Sequence, residues 1–375
     1  MLILGIESSC DETSVAVVRD GAEVLSNIVL SQADIHAKYG GVVPEIASRA
    51  HTEAIYSLCE QALATPDLRS PPSRKGAEAS GDKIMKIDAV AATYCPGLIG
   101  ALLVGVNFGK ALAYKLNAPF IPVNHIKAHV AAAYLSPPKD TRSRTNLPPS
   151  QKGVTEGRGL KPPFLAFIAS GGHTSIMQID SYTDFKILGM TRDDAAGEAF
   201  DKTARAMGLD YPGGALIEKY ADLNIEKTDI KIPFAKVEGS ELDFSFSGVK
   251  TYIINYINTR RQKNGELPET EKYNIAAQFT DNIILSITSR IKRALEITGN
   301  KKLVCAGGVM ANSHIKNALK DLCSRLNIEL YIPDKKYCGD NAAMVAAQGF
   351  YEFQAGNTGG LSQNAFASAD WFSQN

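Results

Sequence analysis

An α/β architecture of two lobes built on one plan is predicted by three features of the sequence. Apolar runs of strand length alternate with segments of helical periodicity, the pattern of a mixed or parallel sheet covered by helices. The motif that opens the chain (strand, small polar turn, Thr-Ser, strand) recurs at residues 164–179. The chain has 375 residues, more than one hydrophobic core usually spans.

The elements follow in order. Residues 2–6 and 14–19 are apolar runs joined by Glu7-Ser-Ser-Cys-Asp-Glu-Thr13, which predicts a hairpin. Residues 22–30 form a third strand. Over 48–64 a helix is predicted, because Ala47, Ala50, Ala54, Leu58 and Ala62 recur every three or four positions. A strand over 87–93 ends in the turn Cys95-Pro-Gly97. The helix predicted over 98–116 carries Gly100, Gly105 and Gly109, which implies close packing on a sheet. Residues 120–123 are a further strand. In the second half, strands over 164–169 and 174–179 flank the turn Ser170-Gly-Gly-His173. A long helix is predicted over 274–295. A strand over 302–305 runs into Ala306-Gly-Gly-Val-Met-Ala-Asn312 and then a helix. A small-residue helix over 340–350 is predicted to pack back on the first lobe. The lobes then comprise 1–135, completed by the helix at about 340–360, and 164–339.

Two stretches break the pattern. Residues 65–83 carry Pro66, Pro71, Pro72, Gly76 and Gly81 among few apolar side chains. Residues 136–163 hold six prolines, no aromatic residue, and six Lys/Arg against two Asp/Glu. Such composition cannot bury enough surface to offset ordering entropy, so both read as mobile insertions. The basic excess of the second would also suit an arm that touches RNA.

Composition excludes several classes. Lys+Arg and Asp+Glu are 40 each, so bulk charge does not attract nucleic acid and any such contact needs a local patch or a partner. Hydrophobic residues at 45% and charged residues at 21% exclude wholesale disorder. The six cysteines form no CxxC pair, which argues against a zinc ribbon and for reduced thiols. No uninterrupted apolar run reaches the roughly 18 residues of a membrane span. The N-terminus reads as a strand rather than a targeting segment, so no membrane role and a cytoplasmic location are expected.

Three turns of small residues follow strands, at 7–13, 170–174 and 307–312. Backbone N–H groups in such turns can approach an anion, and the third is expected to open a helix, adding a favourable partial charge. Together they predict a nucleotide in a cleft between lobes. GxGxxG and GxxxxGK patterns are absent after a strand, which removes the Rossmann and P-loop readings. His125-Ile-Lys-Ala-His129 places two imidazoles at i and i+4, one face of a helix, where they could share a metal or simply bond to backbone. Ile126 stands where a zinc peptidase of the HExxH type has its general base. Asp340 is a candidate third ligand, although spacing cannot show that it is near. Asp194, Glu198 and Asp201 are predicted on one helix face, for ribose hydroxyls or as a solvated acidic face. Lys250 reads as a surface lysine.

Taken together, GIESSCDET (5–13), GGVVPEIASRAHTEAI (40–55), CPGLIGALLVG (95–105), HIKAH (125–129), SGGHT (170–174), DDAAGEAFDKTARAMGLDYPGG (193–214), FSFSGVKT (244–251), CAGGVMANS (305–313) and GDNAAM (339–344) resemble the tRNA adenosine threonylcarbamoyltransferase family, once called the glycoprotease family. The resemblance covers nearly the whole chain except the two insertions. It implies the actin-like ATPase fold, shared with sugar kinases, with two lobes around a nucleotide cleft. It also implies transfer of threonylcarbamoyl from threonylcarbamoyl-adenylate to N6 of the adenosine 3′ of the anticodon, in tRNAs reading codons that begin with A. Residues matching His125, His129 and Asp340 would hold one divalent ion per subunit, iron (Fe2+) or zinc (Zn2+). Residues matching Ile168, Ala169, Ser170, Gly171, Gly172, Asp201, Gly214, Glu218 and Asn312 would hold the ATP/AMP-type nucleotide part. Asp11 is the candidate catalytic or phosphate-proximal acid, with Glu12 beside it. Implied partners are tRNA, a smaller homologous actin-like subunit and a P-loop ATPase; a homodimer is also compatible. Cys95, Ala306 and Gly339 depart from the family's usual residues, in turns rather than ligands. The alternatives are a metallopeptidase of glycoproteins, an actin-like small-molecule kinase, and a non-catalytic ATP-binding subunit.

Overall fold

The structure is a computed structural model that describes residues 1–64, 86–136, 160–224, 230, 232–234 and 237–368. The insertion read at 65–83 lies outside the described residues, as does most of that read at 136–163.

The first half opens with β1 (Leu2–Glu7), β2 (Glu12–Arg19) and β3 (Glu23–Ser31), followed by α1 (Ala33–Ala37), α2 (Pro44–Leu63), β4 (Ala89–Cys95), α3 (Ile99–Leu116), β5 (Phe120–Asn124) and α4 (His125–Ala131). The second half runs β6 (Phe164–Ala169), β7 (Thr174–Ile179), β8 (Phe185–Met190), α5 (Ala196–Met207), α6 (Gly213–Asp222), α7 (Ser247–Asn264), α8 (Glu269–Thr298), β9 (Lys302–Ala306), α9 (Ser313–Leu326), β10 (Glu329–Tyr331), α10 (Lys335–Cys338) and α11 (Ala342–Gln354). The two sheets have one topology: β3-β2-β1-β4-β5 and, in the matching sense, β8-β7-β6-β9-β10. In each, the first three strands are antiparallel and the last two join in parallel.

Strand alternation sets the layers. Leu2, Leu4 and Ile6 of β1 meet Ile55 and Leu58 of α2 and Leu102 and Val106 of α3. Ile3 faces the other way, into a middle layer with α4 and α11. Phe164, Ala166 and Ile168 of β6 enter that same middle layer, whereas Leu165 and Phe167 face the outer layer with α5, α8 and α9. α4 and α11 are therefore sandwiched between the sheets. Gly5 permits this: a Cβ there would stand 2.7 Å from the Ala346 nitrogen, and backbone cannot yield. The amide of Ala342 donates to Ser14 Oγ at 2.9 Å, which pins the start of α11 to β2.

Several sequence readings are corrected. α5 begins at Ala196, so Asp194 precedes the helix and does not share its face with Glu198 and Asp201. Asp194 instead pairs with Lys202 (2.8 Å) and Lys250 (2.6 Å), so Lys250 is a tethering group rather than a free surface lysine. The third small-residue turn does open a helix, as read: it contains a short 3-10 segment, Gly308–Ala311, and α9 follows at Ser313 with Asn312 as its N-cap. α3 reaches 18 residues and is long and apolar enough to cross a membrane by length and composition. Here it packs on the first sheet, with Leu102 and Val106 fully buried. β8 and β10 are additions to the expected strands; β10 has three residues and β8 is largely half-buried, so neither writes a clear period.

Candidate active site

α4 follows β5 without a loop. Asn124 caps it, its Oδ1 accepting the amides of Ile126 (2.9 Å) and Lys127 (3.2 Å). The i,i+4 spacing then stacks His125 over His129 with ring centroids 4.6 Å apart. Asp340 arrives from the far end of the chain, between α10 and α11. Its Oδ1 stands 3.2 Å from His129 Nε2 and 3.6 Å from His125 Nε2. One ligand atom from each of His125, His129 and Asp340 lies within 4.8 Å of the other two.

These residues fit a metal on two observations. The first is the orientation of His125. Its Nδ1 lies 3.1 Å from Glu7 Oε2. Glu7 is fully buried and also accepts Thr93 Oγ1 (2.6 Å) and the Ser9 amide (2.6 Å). An ionised carboxylate only accepts, so Nδ1 carries the hydrogen and the Nε2 lone pair faces Asp340. The second is His129, which is fully buried: among the described residues its Nδ1 has no partner, and its Nε2 has only the Asp340 carboxylate nearby, out of hydrogen-bond geometry. A buried imidazole so poorly satisfied costs free energy unless something fills the site. Two imidazoles and one carboxylate form a donor set suited to zinc or ferrous iron with positions left open.

The electrostatics follow from this clustering. Burial opposes ionisation of Asp340, but His125 and His129 hold its carboxyl well below the usual range. Burial alone would lower the proton affinity of His125, yet Asp340 and Glu7 raise it to about 9. His173, with its ring 6.2 Å from that of His125, is pushed down to about 3 by burial and then by the two neighbouring imidazoles.

The nucleotide candidates line the facing half. Ile168 and Ala169 are fully buried in the core, so only their backbone could meet a ligand. Ser170 Oγ accepts the His173 amide at 3.2 Å and closes the turn. A Cβ on Gly171 or Gly172 would find nothing within 4 Å, so that side of the turn is open. Asp201 Oδ1 accepts the Gly213 amide at 2.8 Å, beside Gly214. Burial raises its carboxyl's pKa despite the backbone amides of Gly213 and Gly214. Gly307, at φ +96°, lets the third turn pass closely over Ala169. Asn312 caps α9 through Oδ1, accepting Ile315 N–H at 3.1 Å, and its buried Nδ2 has no hydrogen-bond partner among the described residues. Glu218 Oε1 accepts the amide (2.7 Å) and hydroxyl (2.5 Å) of Ser313, next to Asn312.

Asp11 and Glu12 stand across from this group. Asp11 is buried. Glu12 is pushed up to about 9 by burial, then by the charges of Asp340 and Asp11. Tyr211 connects the halves: burial and then the charges of Asp11 and Asp201 raise its phenol's pKa. A cavity of about 210 Å³ lies here, lined by Ala37, Gly40, Asp201, Arg205 and Tyr211 among others. The larger cavity, about 700 Å³, lies between α3 and residues 359–361, remote from these residues.

Sequence reasoning missed Glu7, Thr93, His173 and Tyr211 as site members. Glu7 left a signal: it is the one charge in LILGIE, on the face that carries Ile3 and Gly5. Thr93 and Tyr211 left none, because only the tertiary fold brings them to the cleft.

The sequence profile described as tRNA N6-adenosine threonylcarbamoyltransferase matches residues 23–143 and 150–347. A protein of that name from Caldicellulosiruptor saccharolyticus is 44% identical over 366 residues, covering 97% of each chain. One from Clostridium perfringens is 42% identical over 364 residues, covering 97% of this chain and 96% of its own. Among solved structures, HypF from T. kodakarensis superposes with a TM-score of 0.54 at 13% identity, over 95% of this chain and 48% of its own. Full-length HypF in a phosphate- and nucleotide-bound form gives 0.53 at 14% identity, over 98% of this chain and 47% of its own. At that identity the likeness concerns the fold alone, which is of the actin-like ATPase class. The chain belongs to the tRNA N6-adenosine threonylcarbamoyltransferase family.

Proposed function

We propose that this chain transfers the threonylcarbamoyl group of threonylcarbamoyl-adenylate to N6 of the adenosine 3′ of the anticodon, in tRNAs reading codons that begin with A. The observation that carries the reading is the meeting of His125, His129 and Asp340 beside the open Ser170–Gly172 turn.

An adenine N6 amine is a weak nucleophile, because its lone pair is delocalised into the ring. The donor is correspondingly activated as a mixed anhydride with AMP. In the transfer, a bond forms between N6 and the carbamoyl carbon, the bond from that carbon to the AMP phosphate oxygen breaks, and N6 gives up one proton. The protein's part is to orient both partners and stabilise charge. The turn at Ser170, Gly171 and Gly172 receives the phosphate through backbone, Asp201 and Glu218 lie where ribose hydroxyls would be held, and the free Asn312 amide supplies a donor. In this reading Asp11 accepts the N6 proton or orients the amine. His125, His129 and Asp340 would hold the ion, oriented by Glu7, and a bound ion supplies Lewis acidity toward the threonyl or carbamoyl oxygens.

Iron or zinc fits this donor set. We further propose that the chain works in the cytoplasm with a smaller homologous actin-like subunit and a P-loop ATPase, either as a heteromer or as a homodimer. The test is single-turnover transfer with synthetic adenylate and unmodified tRNA, read by mass spectrometry of the digested nucleosides. N6-threonylcarbamoyladenosine should form with this chain and partner subunits and be absent when this chain is omitted. Peptide cleavage that His125→Ala abolishes, or sugar phosphorylation by ATP, would replace the reading.

A further inference from the structure

A chain of buried hydrogen bonds runs beneath the first turn, outside the groups assigned above. The Val43 amide, at the N-cap of α2, donates to His36 Nδ1 at 3.3 Å. His36 Nε2 lies 3.1 Å from Gln32 Oε1. Gln32 Nε2 reaches His51 Nδ1 at 3.3 Å and the Ala47 carbonyl at 3.5 Å. His51 Nε2 is 2.9 Å from the Cys10 carbonyl, and Thr13 Oγ1 is 2.7 Å from His51 Nδ1. His36 and His51 are fully buried.

The two ends of the chain fix its polarity. A backbone amide only donates, so His36 Nδ1 accepts and its Nε2 carries the hydrogen. A backbone carbonyl only accepts, so His51 Nε2 carries the hydrogen and its Nδ1 accepts from both Gln32 and Thr13. Gln32 is satisfied only with Oε1 toward His36 and Nε2 toward His51. Along Val43, His36, Gln32, His51 and Cys10 each donor thus points toward Cys10, with Thr13 as a side branch that donates into His51 Nδ1. Asp11 sits at the receiving end. The carbonyl before it accepts from His51, and its own carbonyl accepts the backbone amide of Gln32 at 2.9 Å. Both peptide groups flanking Asp11 are held by hydrogen bonds.

We propose that His51, acting with Gln32, is a positioning residue that sets the two peptide planes around Asp11 and so aims its carboxylate into the cleft. The inference rests on the reading of Asp11 as the acid at the reacting groups. His51 bonds Cys10, Thr13 and Gln32 and none of the residues read as holding the nucleotide, so its loss acts on the rate of transfer rather than on binding. The GGVVPEIASRAHTEAI segment thereby gains a structural role, since it carries both ends of the support, Val43 and His51.

The test is a double-mutant cycle in single-turnover transfer, with the partner subunits present and enzyme in excess. His51→Leu should slow transfer roughly 10- to 100-fold, with the KM for adenylate and tRNA within about threefold of wild type. His51→Gln, whose amide can donate to Cys10 and accept from Thr13, should recover to within about fivefold. In an Asp11→Ala background, His51→Leu should cost less than about twofold, because its target is gone. Additive losses, or wild-type rates in His51→Leu, overturn the proposal. Wild-type rates in Asp11→Ala instead overturn the reading of Asp11 and this proposal with it. Should His51→Leu fail to fold, nitrogen-15 NMR of the wild-type imidazoles decides. The Nε2–H tautomer of His51 should persist from roughly pH 6 to pH 8, and an Nδ1–H or doubly protonated ring there overturns the relay.

Discussion

The turn between Glu7 and Ser14 and the turn between Ile168 and Ser175 occupy equivalent places in matching sheets. Each flanking pair is in register across an antiparallel hairpin, and each hairpin continues into a parallel neighbour, β4 or β9. Their contents differ. The first is filled with buried polar side chains, among them Ser8, Ser9, Asp11 and Thr13, and is entered from the buried acid Glu7. The second is entered from Ile168, which lies in the apolar layer between the sheets, and continues through Gly171 and Gly172 with open space around them. One backbone frame thus serves two ends. Where side chains fill the turn, it orients His125, the proposed metal ligand, and holds an acid. Where they are stripped away, it leaves open space, which the proposed function gives to the substrate.

The sharpest way to break this contrast is to take the charge from the entrance of the first turn. Glu7→Gln keeps the volume, neutralises the side chain and replaces one of its two acceptor oxygens by a donor NH2, so the charged acceptor that fixes His125 is lost. Metal affinity should fall about 10- to 100-fold, and transfer with it, measured by chelator competition and by single-turnover rate. Filling the second turn is the converse. Gly172→Val adds bulk where none is touched, so it should raise the KM for adenylate about tenfold while thermal stability stays within about 0.5 kcal/mol. Unchanged KM would mean the open turn is not a binding surface.

Smaller effects refine the comparison. Gly5 and Ala166 are equivalent in register, yet only Gly5 lies under α11. Gly5→Ala should destabilise the fold by about 1–3 kcal/mol in denaturant unfolding, by forcing α11 outward. Ala166→Gly should cost only about 0.5–1 kcal/mol. The last expected effect concerns pH. Glu12 has its carboxyl raised from 4.5 to about 9, chiefly by burial. The folded state then holds a proton that the unfolded state has released. The stability of metal-free protein should therefore fall as pH rises through that window, by at most about 1.4 kcal/mol per pH unit from this group. Glu12→Gln should flatten the slope between those limits.

Much of the frame was legible because it is local. The hairpin period gave β6 and β7 to the residue, and the i,i+4 spacing placed both imidazoles on one face of a helix. The site was less legible because it is long-range. Nothing in spacing says that Asp340 reaches His129: the sequence offered it as a candidate third ligand, and the family resemblance implied it, but neither could show that it is near. Glu7 bonds to His125 across a separation of 118 residues. Asp194 looked helical because its neighbours carry helical spacing, but the chain turns at Ala195 and its carboxylate is taken by Lys202 and Lys250. Tyr211 sits in a turn whose sequence speaks only of chain reversal. In each case sequence shows what a residue can do, and the sheet order decides what it meets.

The proposed chemistry rests on an ion held jointly by residues from the two ends of the chain. The direct measurement is metal content of protein loaded anaerobically with iron or zinc and freed of excess, for wild type, His129→Ala and Asp340→Asn. One ion per chain in the wild type, falling below about a tenth in either variant while each still folds, is the predicted result. Equal metal in all three, or none in the wild type, would contradict it.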